Sequence, residues 1–148
     1  MIHPRSIIIF PLFVFSNGNP PKQKFFIVLG VSNNELILAS LPTSKDNVPK
    51  YAETDHGCVE LPEAQFNCYV FKEGKSITDC GWSFNKTTFL YGSNIGTYSA
   101  NNLLEKYPIE GVDYKIIGLM QENEHTSLCK CLKESKWVKR KYKKILPC

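Results

Sequence analysis

Long apolar runs are missing from this chain. The longest, Ile7 to Phe15, covers nine residues and is interrupted by Pro11, far short of the roughly 18 that a membrane-spanning helix needs. Histidine is scarce: His3, His56 and His125 are the only three, and none lies in a recognisable catalytic motif. His56, in the loop after Thr43, is the one that could swing towards a site there. Metal-ligand spacing is absent as well. Zinc sites usually bring paired ligands two to four residues apart, twice over, whereas Cys129-x-Cys131 on a helix would point its thiols about 200° apart. No metal or other cofactor is expected. The chain also lacks internal repeats and low-complexity segments, so solenoid and disordered architectures are set aside.

What remains is the composition of one folded domain. The chain has 148 residues, 43% hydrophobic and 22% charged, enough to bury a core without staples. Nine Phe, seven Tyr and two Trp need a shared interior. The net charge of +4 is unevenly placed. Eight basic residues against Glu134 give 130–144 a charge of +7, so the remainder carries −3. A nearly neutral body with a basic tail suits nucleic acid or another polyanion, and equally a solvated helix face.

Periodicity predicts a mainly β protein of the α+β class. Ser6–Phe10, Phe25–Leu29, Leu36–Ala39, Cys58–Leu61, Asn67–Phe71 and Thr87–Tyr91 read as strands separated by turn-forming stretches. Continuous apolar runs in such short strands imply that both faces are covered, as in a small barrel. Residues 1–18 admit a second reading, a cleaved signal peptide, because Arg5 precedes the apolar run and Ser16-Asn17-Gly18 follows it. Pro11 and the β-branched content favour the strand. Later the pattern turns helical. Ser99 is placed to cap a short helix near 100–107 that stops before Pro108. Tyr114–Met120 is a strand or short buried segment. Thr126 is a possible cap for a basic amphipathic helix over 126–146, with Leu128, Leu132, Ser135, Val138, Tyr142 and Ile145 on one stripe. The expected organisation is a single domain, 1–148, whose β body is 1–125.

Six cysteines leave the redox state open. In a secreted protein they would make up to three bridges; in a reducing cytoplasm, Cys58 and Cys68 read as buried thiols. Trp82, Phe84, Phe89 and Tyr91 alternate near Lys72, Lys75 and Lys86, a pattern that suits either a stacking platform for single-stranded nucleic acid or a barrel core.

Three stretches carry a resemblance. Ile7-Ile8-Ile9-Phe10-Pro11-Leu12-Phe13-Val14-Phe15-Ser16-Asn17-Gly18 is an opening strand turning into a polar loop. Lys22-Gln23-Lys24-Phe25-Phe26-Ile27-Val28-Leu29 is a basic loop end followed by a buried strand. Ala39-Ser40-Leu41-Pro42-Thr43-Ser44-Lys45 is a third strand leading into a Thr-Ser step. Together, over residues 5–46, they resemble the PemK/MazF family, the ribonuclease toxins of bacterial toxin–antitoxin pairs. Where the family opens its second strand with Arg-Pro, this chain has Lys24-Phe25.

The resemblance implies a half-open β-barrel of the Src-homology-3 type, a homodimer, a cytoplasmic location, and inhibition by an acidic antitoxin protein. It implies metal-independent cleavage of single-stranded RNA, with Lys24, Thr43 and Ser44 as the catalytic candidates. Lys22, Lys45, Lys139, Arg140 and Lys141 are the candidate nucleic-acid contacts. Lys24 would neutralise a phosphate without the bidentate fork of Arg; Thr43 would donate a hydrogen bond to it. The alternatives are a non-catalytic small barrel that binds nucleic acid or a protein partner, and a secreted, cysteine-bridged protein without enzyme activity.

Overall fold

Strands with apolar residues on both faces need a cover on each side, and the fold supplies two different ones. The computed structural model describes residues 2–41, 55–61 and 66–147. Eight strands occur among them: β1 (Ser6–Phe13), β2 (Lys22–Ser32), β3 (Glu35–Ser40), β4 (Gly57–Leu61), β5 (Phe66–Phe71), β6 (Thr88–Tyr91), β7 (Ile95–Ser99) and β8 (Lys115–Leu119). Three helices follow the same order: α1 (Ala100–Lys106), α2 (Glu122–Glu134) and α3 (Arg140–Lys143). The strands form two antiparallel sheets, one of five in the order β7-β3-β2-β1-β8 and one of three in the order β4-β5-β6. The protein is therefore mainly β with few helices, and among the described residues the sheets do not close into a barrel.

Alternation along β2 explains the two covers. Ile27 and Leu29 face a large cluster that holds Tyr69, Phe71 and Leu90 of the three-stranded sheet together with Leu128 and Leu132 of α2. Phe26 and Val28 face the other side, with Ile8, Phe10, Leu103 and Tyr107. Ile7 and Ile8 divide between the same two clusters, so the apolar run at the start of the chain is an inner strand of the larger sheet. Pro11 lies where the β1–β2 register shifts, between Phe10 and Phe13, as expected for a residue that cannot donate to a ladder. No described helix is long and apolar enough to cross a membrane.

The short helix forms where Ser99 caps it: the Ser99 side chain accepts from the Asn102 amide. The C-terminal segment differs from the single helix expected over 126–146. It divides into α2 and α3, and α2 begins at Glu122, so Thr126 lies inside it and donates from Oγ1 to the Glu122 carbonyl. The break follows from local bonding and packing. The buried Ser135 hydroxyl accepts from the Trp137 amide, a short-range bond that competes with helical pairing. The turn lays Ser135 and Val138 on Gly92, where a Cβ would meet Val138 Cγ2 at 2.9 Å and Ser135 Oγ at 3.0 Å. Gly92→Ala is expected to lower unfolding stability by about 1–3 kcal/mol, read from denaturant titration; an unchanged midpoint would mean that the contact relaxes freely.

The aromatic pattern over 82–91 resolves into core. Phe84 is buried in the large cluster with Trp82 packed on its edge, and Phe89 is buried with Val70 and Cys68 on the outer face of the small sheet. The strand β7 was not visible in the periodicity, because Gly96 and Thr97 leave it without an apolar run.

Candidate functional site

Two places in the fold gather chemistry. The first is the end of the large sheet where β2 begins. Lys24 is partly buried there, opposite Phe10, and Lys22 lies opposite Phe13. Both ammonium groups sit over the Phe15 ring, at 5.7 Å for Lys22 and 6.0 Å for Lys24, within cation–π range. Burial, with a smaller contribution from the neighbouring Lys22 charge, lowers the Lys24 pKa from the usual lysine range. Beside them is a groove of about 480 Å³ whose walls include Phe13, Phe15, Tyr98, Tyr107, Asn102 and Lys106. Its floor is fixed by the Val14 amide donating to the Tyr107 hydroxyl at 2.9 Å and by the stacked Phe13 and Tyr107 rings, 5.7 Å apart.

The third stretch of the resemblance leads away from the same end. The Leu41 amide donates to the Phe25 carbonyl at 3.0 Å, so the chain leaves β3 beside Lys24. Thr43, Ser44 and Lys45 follow in sequence and lie outside the described residues. Lys139, Arg140 and Lys141 are exposed at the start of α3. In the same tail Pro147 lies against Gly30, which is six residues along β2 from Lys24, about 20 Å at strand rise. Lys22 and Lys24 are together at the head of β2.

The second place is a cavity of about 460 Å³ between the small sheet and α2. Glu124 lies on the inward stripe of α2, four residues before Leu128, and is 8% exposed. One of its carboxylate oxygens accepts from the Tyr69 hydroxyl and the other bonds His56 Nε2. The Lys72 amide donates to His56 Nδ1 at 3.1 Å, which leaves the ring proton on Nε2, pointing at Glu124. Burial first, then the Glu124 hydrogen bond and charge, push the Tyr69 phenol well above its ordinary value. With both ring nitrogens engaged, His56 does not swing towards the Lys24 end; it is a fixed donor. Sequence reading passed over Glu124, although a carboxylate on an apolar stripe signals a buried partner.

The same cavity is bordered by a disulfide. Cys58 on β4 is bonded to Cys131 on α2, which corrects the expectation that Cys58 is a buried thiol. Cys68 is a thiol as expected, buried on the opposite face of the small sheet, with its pKa raised by burial to about 11. Its neighbours in the chain, Tyr69 and Asn67, pair with Cys58 and Glu60 across the β4–β5 ladder.

His125, one residue past Glu124, points elsewhere. Its Nε2 lies 3.0 Å from the Leu29 carbonyl. Burial lowers its pKa from 6.5, outweighing the upward pull of that bond, and Arg5 adds to the lowering. A histidine held neutral in the folded state binds fewer protons than in the unfolded chain. Its contribution is present above about pH 6.5 and is lost as the pH falls through the depressed folded value. Unfolding free energy measured against pH should therefore fall more steeply below pH 6.5 in the native protein than in His125→Gln; equal slopes would remove His125 as the cause.

Among the described residues no three His, Cys, Asp or Glu side chains are grouped as a metal site would need. Compared with known proteins, the chain matches no family model, no curated protein and no solved structure.

Proposed function

We propose that this protein is a metal-independent endoribonuclease acting on single-stranded RNA, the toxin of a PemK/MazF-type pair. The observation that carries the reading is the partly buried Lys24 at the head of β2, beside an aromatic groove and next to the point where the chain departs towards Thr43 and Ser44. Bases stack on aromatic faces and phosphates seek nearby lysines, the usual combination for single-stranded nucleic acid. Phe13, Phe15 and Tyr98 supply the faces, and Lys22, Lys24 and Lys106 the charges.

In this reading the ribose 2′-hydroxyl gives up its proton to solvent water as it attacks the adjacent phosphorus, and the bond from phosphorus to the 5′ oxygen breaks. Lys24 stabilises the phosphorane oxygens, and its lowered pKa eases transfer of a proton to the departing 5′ oxygen. Thr43 and Ser44 donate hydrogen bonds to the same phosphate. The two sheets, facing each other across the large cluster, act as the walls of a half-open barrel of the Src-homology-3 kind. A homodimer, an acidic antitoxin segment lying over the Lys22–Lys24 end, and a cytoplasmic site of action complete the proposal.

Single-turnover cleavage of a labelled single-stranded RNA in the presence of EDTA tests it. The native protein should cut, Lys24→Ala should cut about 10²-fold more slowly, as for loss of one preorganised donor, and Lys24→Arg should keep the RNA affinity. Binding without cleavage by the native protein would favour the alternative, a non-catalytic RNA-binding module, which the same aromatic groove would serve. Neither binding nor cleavage would refute both.

A further inference from the structure

The cavity at α2 has a feature that its hydrogen-bond network does not use: a disulfide forms part of its wall. We propose that this cavity is a reaction site for a small peptide thiol, which docks there and opens the Cys58–Cys131 bond. The inference is independent of the RNA reading.

Access is asymmetric. Cys58 is exposed, whereas Cys131 is 2% exposed. An incoming thiolate reaches Cys58 Sγ, a new sulfur–sulfur bond forms there, and the Cys58–Cys131 bond breaks with Cys131 leaving as the thiolate. That thiolate takes a proton from solvent; its sulfur lies 3.9 Å from the Cys68 carbonyl oxygen, which can accept from the thiol so formed. A second molecule of the same thiol attacks the mixed disulfide, releases Cys58 and leaves as the oxidised dimer of the small thiol, so two thiols are oxidised as one protein disulfide is reduced. Among the described residues no internal thiol stands in for it. Cys68 faces the other side of the sheet and is held protonated by burial, Cys129 is fully buried, and Cys80 does not line the cavity.

The charges fit a peptide thiol with two carboxylates and one ammonium group. Lys75, Lys130 and Glu134 line the cavity as exposed groups, while the remaining carboxylate, Glu124, is already taken by Tyr69 and His56. A volume of about 460 Å³ is within the range of small-molecule sites.

Purified oxidised protein is treated with equal thiolate concentrations of glutathione, neutral 2-mercaptoethanol or cationic cysteamine, and bond opening is followed by alkylation and mass spectrometry. Glutathione should open the bond about tenfold faster than either of the others, the low end of electrostatic capture, and leave an adduct on Cys58. In Lys75→Gln/Lys130→Gln that advantage should vanish while the 2-mercaptoethanol rate stays unchanged. Equal rates for the three thiols, an adduct on Cys131, or free alkylation of Cys58 and Cys131 before any thiol is added would overturn the proposal.

Discussion

Glu124→Ala is expected to cost about 2–6 kcal/mol of folding stability, because it leaves two buried donors without their acceptor at about 1–3 kcal/mol each. The carboxylate joins three elements. It accepts from Tyr69 on β5, bonds His56 ahead of β4, and is itself carried by α2. Alanine would leave the Tyr69 hydroxyl, on a side chain 1% exposed, and the His56 Nε2 proton without an acceptor, and each buried group left unpaired carries its own desolvation cost. Glu124→Gln separates charge from shape. It keeps one carbonyl oxygen for one of the two donors, so its cost should be smaller, about 1–3 kcal/mol. Denaturant unfolding of both variants decides the matter; an alanine variant as stable as the native protein would show that the network contributes nothing to folding.

The second large effect belongs to the covalent tie in the same cavity. Cys58 and Cys131 are 73 residues apart in sequence. Closing a loop of that length restricts the unfolded chain by about 4 kcal/mol in the chain-entropy description. Cys58→Ser/Cys131→Ala should therefore unfold at clearly lower denaturant than the oxidised native protein. The native protein kept fully reduced should come close to the variant. Coincident unfolding curves for oxidised native protein and variant would mean that the bond does not hold β4 to α2.

The two effects fall on a part of the molecule that was hard to see in the sequence, and the reason is range. Strands β1, β2 and β3 were visible because their apolar residues are consecutive and their turns, such as Ser32-Asn33-Asn34, are local. Asn33 and Asn34 adopt φ of 46° and 64°, values that asparagine tolerates better than most residues. The helix at Ala100 was visible because its cap, Ser99, adjoins it. Pairing of Cys58 with Cys131, or of His56 and Tyr69 with Glu124, depends on where β4 and α2 meet, and no local pattern encodes that. The continuous C-terminal helix misled for a related reason. The stripe from Leu128 to Ile145 is real in composition, but Ser135 bonds locally and Gly92, over forty residues earlier in the chain, lets the turn pack. Of the proposed RNA site, Lys22 and Lys24 were legible only as a basic loop end ahead of the strand, whereas both belong to β2. The Phe15 ring beneath them and the groove shared with α1 were not legible, because they depend on how β1 leaves the sheet.

The central claim is that single-stranded RNA lies over the Phe15–Lys24 end of the large sheet. Photocrosslinking of the native protein to an RNA carrying 4-thiouridine, followed by peptide mapping, tests it most directly. The account predicts crosslinks to peptides holding Phe13, Phe15 and Tyr98, reduced when Lys22 and Lys24 are replaced by Ala. Crosslinks confined to the 139–144 segment, unaffected by those replacements, would contradict it.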